Sequence, residues 1–267
     1  MILDRKHRRW IIGTGLAAVS AIALYAWSGE GGSRGGSTIG GLILGSAALA
    51  MMIFLCGLGL KRRIPHWRLG RAQTWMRGHI WLGLLLVLIV ALHGDLRLGG
   101  PLTTWLWLLL GAVTATGIFG LVLQQFIPPL LMHNIREETV AQQMRSQINA
   151  LPELARAVVE QFDCAPLRQF FENHLERYLN GAFIMALANP QRSESTFRAL
   201  RIMTSPDVHE GIDRLEHVCL RRRQLLRQRV WMRLLMGWLL IHVPLSWVLL
   251  LLSAVHAIGA MRWGTWS

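Results

Sequence analysis

Apolar residues along the chain follow two patterns. At 10–28, 38–60, 75–93, 103–127 and 232–258 they run almost unbroken. About 20 apolar residues, at about 1.5 Å of rise each, cross the roughly 30 Å hydrocarbon core of a bilayer as a helix. Between the fourth and fifth runs, over 134–230, apolar positions recur instead every three or four residues among charged ones. That is the period of helices buried on one face. Leu167, Phe170, Phe171, Leu175, Tyr178 and Leu179 predict one such helix near 166–188. Ser205 followed by Pro206 predicts a capped start for another, along which Ile212, Leu215, Cys219 and Leu226 keep the period into the fifth run. This last helix is expected to pass from the insert into the membrane without a break. Asn134 is placed to cap the first helix of the insert, whose first turn carries Glu137 and Glu138.

The connections fit this reading. SGEGGSRGGS joins runs one and two as a flexible glycine-rich loop, and the short GDLRLGGP makes runs three and four an antiparallel hairpin. Pro128 and Pro129 stop the fourth run. The expected fold is all-α: a polytopic membrane helical bundle of about five spans with a helical insert between spans four and five. The parts are 1–133 for the first four spans, 134–230 for the insert, and 231–267 for the fifth span with a short tail.

Composition agrees, with 52% hydrophobic residues and a mean hydropathy of +0.36 over 267 residues. The net charge of +13 invites a nucleic-acid reading, but its distribution argues against one. The insert holds 12 of the 15 acidic and 14 of the 28 basic residues, so it is nearly neutral. Of the other 14 basic residues, 11 flank span ends on one side (Arg5, Lys6, Arg8, Arg9, Lys61, Arg62, Arg63, Arg68, Arg71, Arg77 and Arg233). Arg34, Arg97 and Arg262 lie on the other. This positive-inside asymmetry puts the N-terminus and the insert in the cytoplasm and the C-terminus outside, in a plasma (inner) membrane. No nucleic-acid partner is expected. The arginines of RRRQLLRQR are expected at headgroup level, facing water or anionic lipid. The first run follows DRKHRR but ends LYAWSGEGG without a signal-type cleavage site, so an uncleaved anchor is expected. Cys56, Cys164 and Cys219 share no metal-type spacing, and no CxxCH is present for covalent haem.

Ten histidines occur, and His79, His93, His242 and His256 border or enter the apolar runs. They form two pairs of equal spacing, HIWLGLLLVLIVALH and HVPLSWVLLLLSAVH. Fourteen residues of helix rise about 21 Å and return to within roughly 40° of the starting face. Each helix therefore offers two imidazoles on one side at two depths. Spans three and five run in the same direction, so His79 matches His242 at the inner level and His93 matches His256 at the outer. A flat, largely apolar disc with an iron fits between facing imidazoles, which predicts two noncovalent b-type haems. A lone intramembrane histidine would equally serve a hydrogen bond or proton relay.

The two H-x13-H helices resemble those of dihaem cytochromes b, both the cytochrome b of quinol-oxidising bc complexes and the ferric reductase/NADPH oxidase transmembrane domain. Their placement on spans three and five, one helix apart, is similar to the second group. The resemblance covers the two ligand helices and their hairpin. It implies bis-histidine haem ligation and electron transfer; the chain holds no PEWY-type quinol loop and no GxGxxG, so substrate chemistry is not carried over. The expected role is a dihaem membrane cytochrome subunit, lacking a site for terminal chemistry, that works with other subunits of a redox complex and carries electrons between a quinone or an outer redox partner and a partner on the other side. The alternatives are a ferric-reductase-like protein served by a separate flavoprotein, and a haem-free scaffold or proton relay.

Neighbouring residues suit a haem role. Gly45 and Gly59 on span two share the 14-residue step, and Gly117 and Gly120 lie on span four, where a macrocycle could approach the backbone. Arg77 and Arg97 flank the ligand helix as propionate partners would. Pro244 should loosen the helix beside His242. Trp75, Trp81, Trp105, Trp107, Trp263 and Trp266 suit interface anchors.

Overall fold

A computed structural model describes residues 5–28, 35–36, 38–63, 72–126 and 137–263. Among the described residues the chain is helical, with no strand. The Asn134 cap, the Pro128–Pro129 stop and Trp266 lie outside them.

Four of the apolar runs form single helices: α1 Arg5–Ser28, α2 Ile39–Arg63, α3 Ala72–His93 and α4 Pro101–Phe126. The fifth lies within α10, His209–Trp263, an unbroken helix of 55 residues. Among the described residues five helices are thus long and apolar enough to cross a membrane, and the protein is an all-α, multi-pass membrane protein. Large apolar side chains such as Leu16, Ile53, Trp105 and Leu251 lie exposed on these helices, as lipid-facing positions require.

The chain divides into two compact units, residues 1–121 with 238–267, and residues 122–237. In the first unit α2 packs against α3, and α1 against both. Its buried centre includes Leu44, Ala48, Met52, Leu85, Leu86 and Ile89, with Leu110 from α4 and Leu249 from α10. The α3–α4 turn carries Asp95 and Leu96 at positive φ, and the Tyr25 hydroxyl donates to the Asp95 carboxylate. Thr38 starts α2: its hydroxyl accepts from the Gly41 N–H at 3.0 Å and donates to the Gly35 carbonyl at 2.9 Å.

The second unit is built from α5 Glu137–Phe162, α6 Ala165–Phe170, α7 Glu176–Leu179, α8 Met185–Ala188, α9 Pro190–Ile202 and the first part of α10. Its core contains Leu167, Leu175, Leu187, Phe197, Ile212, Leu215 and Cys219, none exposed to solvent. The expected helix over 166–188 is interrupted. A π-helical turn at Phe171–Leu175 separates α6 from α7, and α7 ends before Gly181, at φ +116°, a conformation costly for any residue with a Cβ. The extra residue of the π turn lets both Phe171 and Leu175 stay buried beside Leu167 and Phe170. Ser205 and Pro206 begin a short 3-10 turn, Pro206–Val208, that leads into α10.

Arg201 links α9 to α10, donating to Asp213 at 2.6 Å and Glu216 at 2.5 Å. These bonds raise its pKa. Burial pushes the Tyr178 phenol up.

A candidate double-histidine centre

The first unit brings the four membrane histidines together in two pairs. The His79 and His242 rings lie 6.4 Å apart between centroids, with planes 70° apart. The His93 and His256 rings lie 6.2 Å apart, with planes 83° apart. An iron held by two imidazole nitrogens at about 2 Å, with each ring centre about 1.1 Å beyond its nitrogen, needs centroids about 6.2 Å apart. The two observed separations fit that requirement. Edge-to-face ring pairs without a metal also fall in this range. Tautomer and orientation therefore carry the distinction.

His93 is fixed by α2. Its Nδ1 lies 2.8 Å from the Gly41 carbonyl. A carbonyl only accepts, so Nδ1 carries the proton and Nε2 keeps its lone pair. The contact requires a close approach. A Cβ built on Gly45 would stand 2.7 Å from His93 Cε1 and 2.9 Å from Nδ1, and one on Gly36 would stand 3.3 Å from Cε1. Glycine at 45 makes room for the imidazole itself.

His242, only 9% exposed, is fixed by α4. Its Nδ1 lies 2.9 Å from the Thr116 hydroxyl. That hydroxyl has one proton, directed at the carbonyls of Ala112 (2.9 Å) and Val113 (3.0 Å). Its oxygen is then left to accept from His242 Nδ1–H, giving the same tautomer as His93. Trp238, one turn before His242, stacks on the imidazole at 5.3 Å and 25°, and its indole N–H donates to the Thr116 carbonyl at 2.7 Å. Gly120 admits that indole, because a Cβ there would overlap the ring. A Cβ at Gly117 would touch His242 Cε1 at 3.5 Å, an ordinary contact.

The helix through His242 continues past Pro244, and Ser246 donates to the His242 carbonyl at 2.7 Å. Sequence reasoning singled out the four histidines, two glycines now found beside them (Gly45 and Gly117) and a third, Gly120, beside Trp238, but not Thr116, Trp238 or the Gly41 carbonyl. Trp238 and His242 are four apart and so share a helix face, which is the signal that could have found the stack. No family model matches the chain, and no curated protein or solved structure matches it. The site must therefore be read from its own geometry.

The remaining expected residues stand differently. At Gly59 a Cβ would meet nothing within 4 Å among the described residues, so this glycine is not drawn to the imidazoles. Arg77 is half-buried two residues before His79 on α3. Arg97 is exposed and pairs with Asp95 at 3.2 Å. Trp75 stacks on Phe54 at 4.8 Å, and Trp107 donates to the Arg97 carbonyl at 3.2 Å, while Trp105 and Trp263 are exposed. Among the described residues no three His, Cys, Asp or Glu side chains converge as a metal-binding group. A tetrahedral zinc-type site needs more ligands than each pair supplies, whereas a porphyrin-bound iron needs only two from the protein.

Proposed function

We propose that the protein is a dihaem b-type membrane cytochrome that carries electrons across the bilayer, His79 and His242 holding one haem and His93 and His256 the other. The observation that carries this reading is the repeated 6.4 and 6.2 Å separation of paired imidazoles on α3 and α10. A haem with two imidazole ligands has no open coordination position and supplies reversible one-electron transfer.

The chain's own groups prepare the ligands. Gly41 and Thr116 hold His93 and His242 through Nδ1, which presents Nε2 and sets each ring's rotation. Trp238 covers one face of His242 and keeps water from it. The charge asymmetry at the span ends supports placing the His79/His242 pair on the cytoplasmic side, with the N-terminus and the insert. With no site for terminal chemistry among these residues, the chain acts as the electron-carrying subunit of a larger redox complex, exchanging electrons with a quinone or with partner subunits.

The test is a reduced-minus-oxidised visible spectrum of the purified chain with haem quantification. Two noncovalent b-type haems per chain are expected. A colourless, folded protein that takes up no haem would sink the proposal.

A further inference from the structure

The second unit contains a cavity of about 500 Å³ between α5, the turn after α7, and α10. Asn149, Asn180, Gly181, Arg222, Leu226 and Arg229 contribute to its lining, and among the described residues no carboxylate does. Arg222 is the unusual member, with only 5% of the residue exposed. Its Nε donates to the Tyr178 carbonyl at 2.9 Å and its guanidinium lies 4.7 Å over the Tyr178 ring. Its Nη1 is buried without a hydrogen-bond partner among the described residues. Nearby arginines are satisfied differently: Arg156 and Arg201 pair with carboxylates, Arg221 with Gln147, and Arg223 with the Leu187 carbonyl.

A buried guanidinium is rare unless an anion balances it. Arg222, Leu226 and Arg229 fall at i, i+4 and i+7, so they share one face of α10. This face therefore presents a second arginine to the same cavity, and two asparagine amides add neutral donors. Gly181 turns the chain at the cavity wall with φ +116°.

We infer that this cavity binds a phosphate group, held by Arg222 from within and Arg229 at its rim. Guanidinium forks match phosphate oxygens in geometry and charge, and no acidic residue among the described lining opposes the anion. Two sources carry that chemistry. One is an anionic phospholipid headgroup, because the apolar run of α10 begins within a turn and a half of Arg229, with no charge from Leu234 to Met261. The other is a soluble phosphate. The inference is independent of the histidine pairs.

The test uses the full chain in phosphatidylcholine nanodiscs, with thermal unfolding followed as inorganic phosphate is added against matched chloride. A parallel set replaces part of the phosphatidylcholine with phosphatidylglycerol. Stabilisation by phosphate supports the site with a soluble ligand, and stabilisation by phosphatidylglycerol alone supports it with a headgroup. In either case Arg229→Gln, an exposed position that should fold normally, weakens the effect about tenfold or more. Arg222→Gln does the same where it folds. No stabilisation in either set, or an unchanged response in Arg229→Gln, overturns the inference.

Discussion

Replacing Gly45 by alanine tests whether the structure around His93 is as tightly determined as it looks. The added Cβ would stand 2.7 Å from Cε1 and 2.9 Å from Nδ1. Carbon atoms settle at about 3.5 Å or more, so the ring must retreat by roughly 0.8 Å. Retreat disturbs the 2.8 Å bond from Nδ1 to the Gly41 carbonyl, worth about 1 kcal/mol, and overpacking costs about 1–3 kcal/mol more. Metal–ligand distances tolerate about 0.2 Å, so a shift four times larger would end ligation of the proposed haem by His93. Gly45→Ala should therefore lose the haem of the His93/His256 pair, keep the other, and unfold at a lower temperature. Gly59→Ala is the control, because its Cβ meets nothing within 4 Å among the described residues, and it should keep both haems. Haem-to-protein ratios and thermal melts of the two purified variants decide the matter. Equal haem content and stability in both would refute the packing argument.

Other outcomes follow from the same contacts. Thr116→Val removes the hydroxyl 2.9 Å from His242 Nδ1 at nearly constant volume, and should weaken haem retention at the His79/His242 pair about 10- to 100-fold without touching the other pair, as read by haem loss to apomyoglobin. The paired imidazole planes lie 70° and 83° apart; crossed planes leave the iron dπ orbitals nearly degenerate, so frozen ferric protein should give strongly anisotropic low-spin EPR signals, and ordinary rhombic signals would contradict retention of these angles. Phe197, fully buried and 5.4 Å from the Phe170 ring, should cost about 3–5 kcal/mol when changed to alanine, measured by denaturant unfolding with hydrogen exchange over 142–237. Cys219, with no exposed surface, should resist alkylation until the unit unfolds, while half-buried Cys164 labels in the native protein.

Much of the fold was legible because membrane helices announce themselves by length and apolarity alone. The C-terminal end of α3 was marked by HIWLGLLLVLIVALH, and the continuity of α10 by the helical period from Ile212 to the fifth run. The break after Phe170 was not legible. Its cause is a π turn in which both neighbouring aromatics reach the core, and a 3.6-residue pattern cannot distinguish that from a straight helix. The α9 start carried a readable signal in Asn189-Pro190, whose side chain accepts from the Gln191 and Arg192 N–H groups, and it was passed over. At the candidate site the histidine spacing was plain, while the groups that hold the rings were hidden. A backbone carbonyl at Gly41 has no sequence signature, and Thr116 on α4 meets His242 from 126 residues away. Gly45 and Gly59 share a 14-residue step, yet only Gly45 reaches an imidazole, because helix packing and not spacing decides which glycine faces the pair.

The most direct measurement is haem stoichiometry across four single variants, His79→Ala, His93→Ala, His242→Ala and His256→Ala, each purified and quantified with its redox-difference spectrum. The wild type should hold two haems. His79→Ala and His242→Ala should lose the same spectral component, His93→Ala and His256→Ala the other, and each double variant within a pair should lose no more than its singles. A wild type without haem, or four variants that fail to sort into these two pairs, would contradict the account.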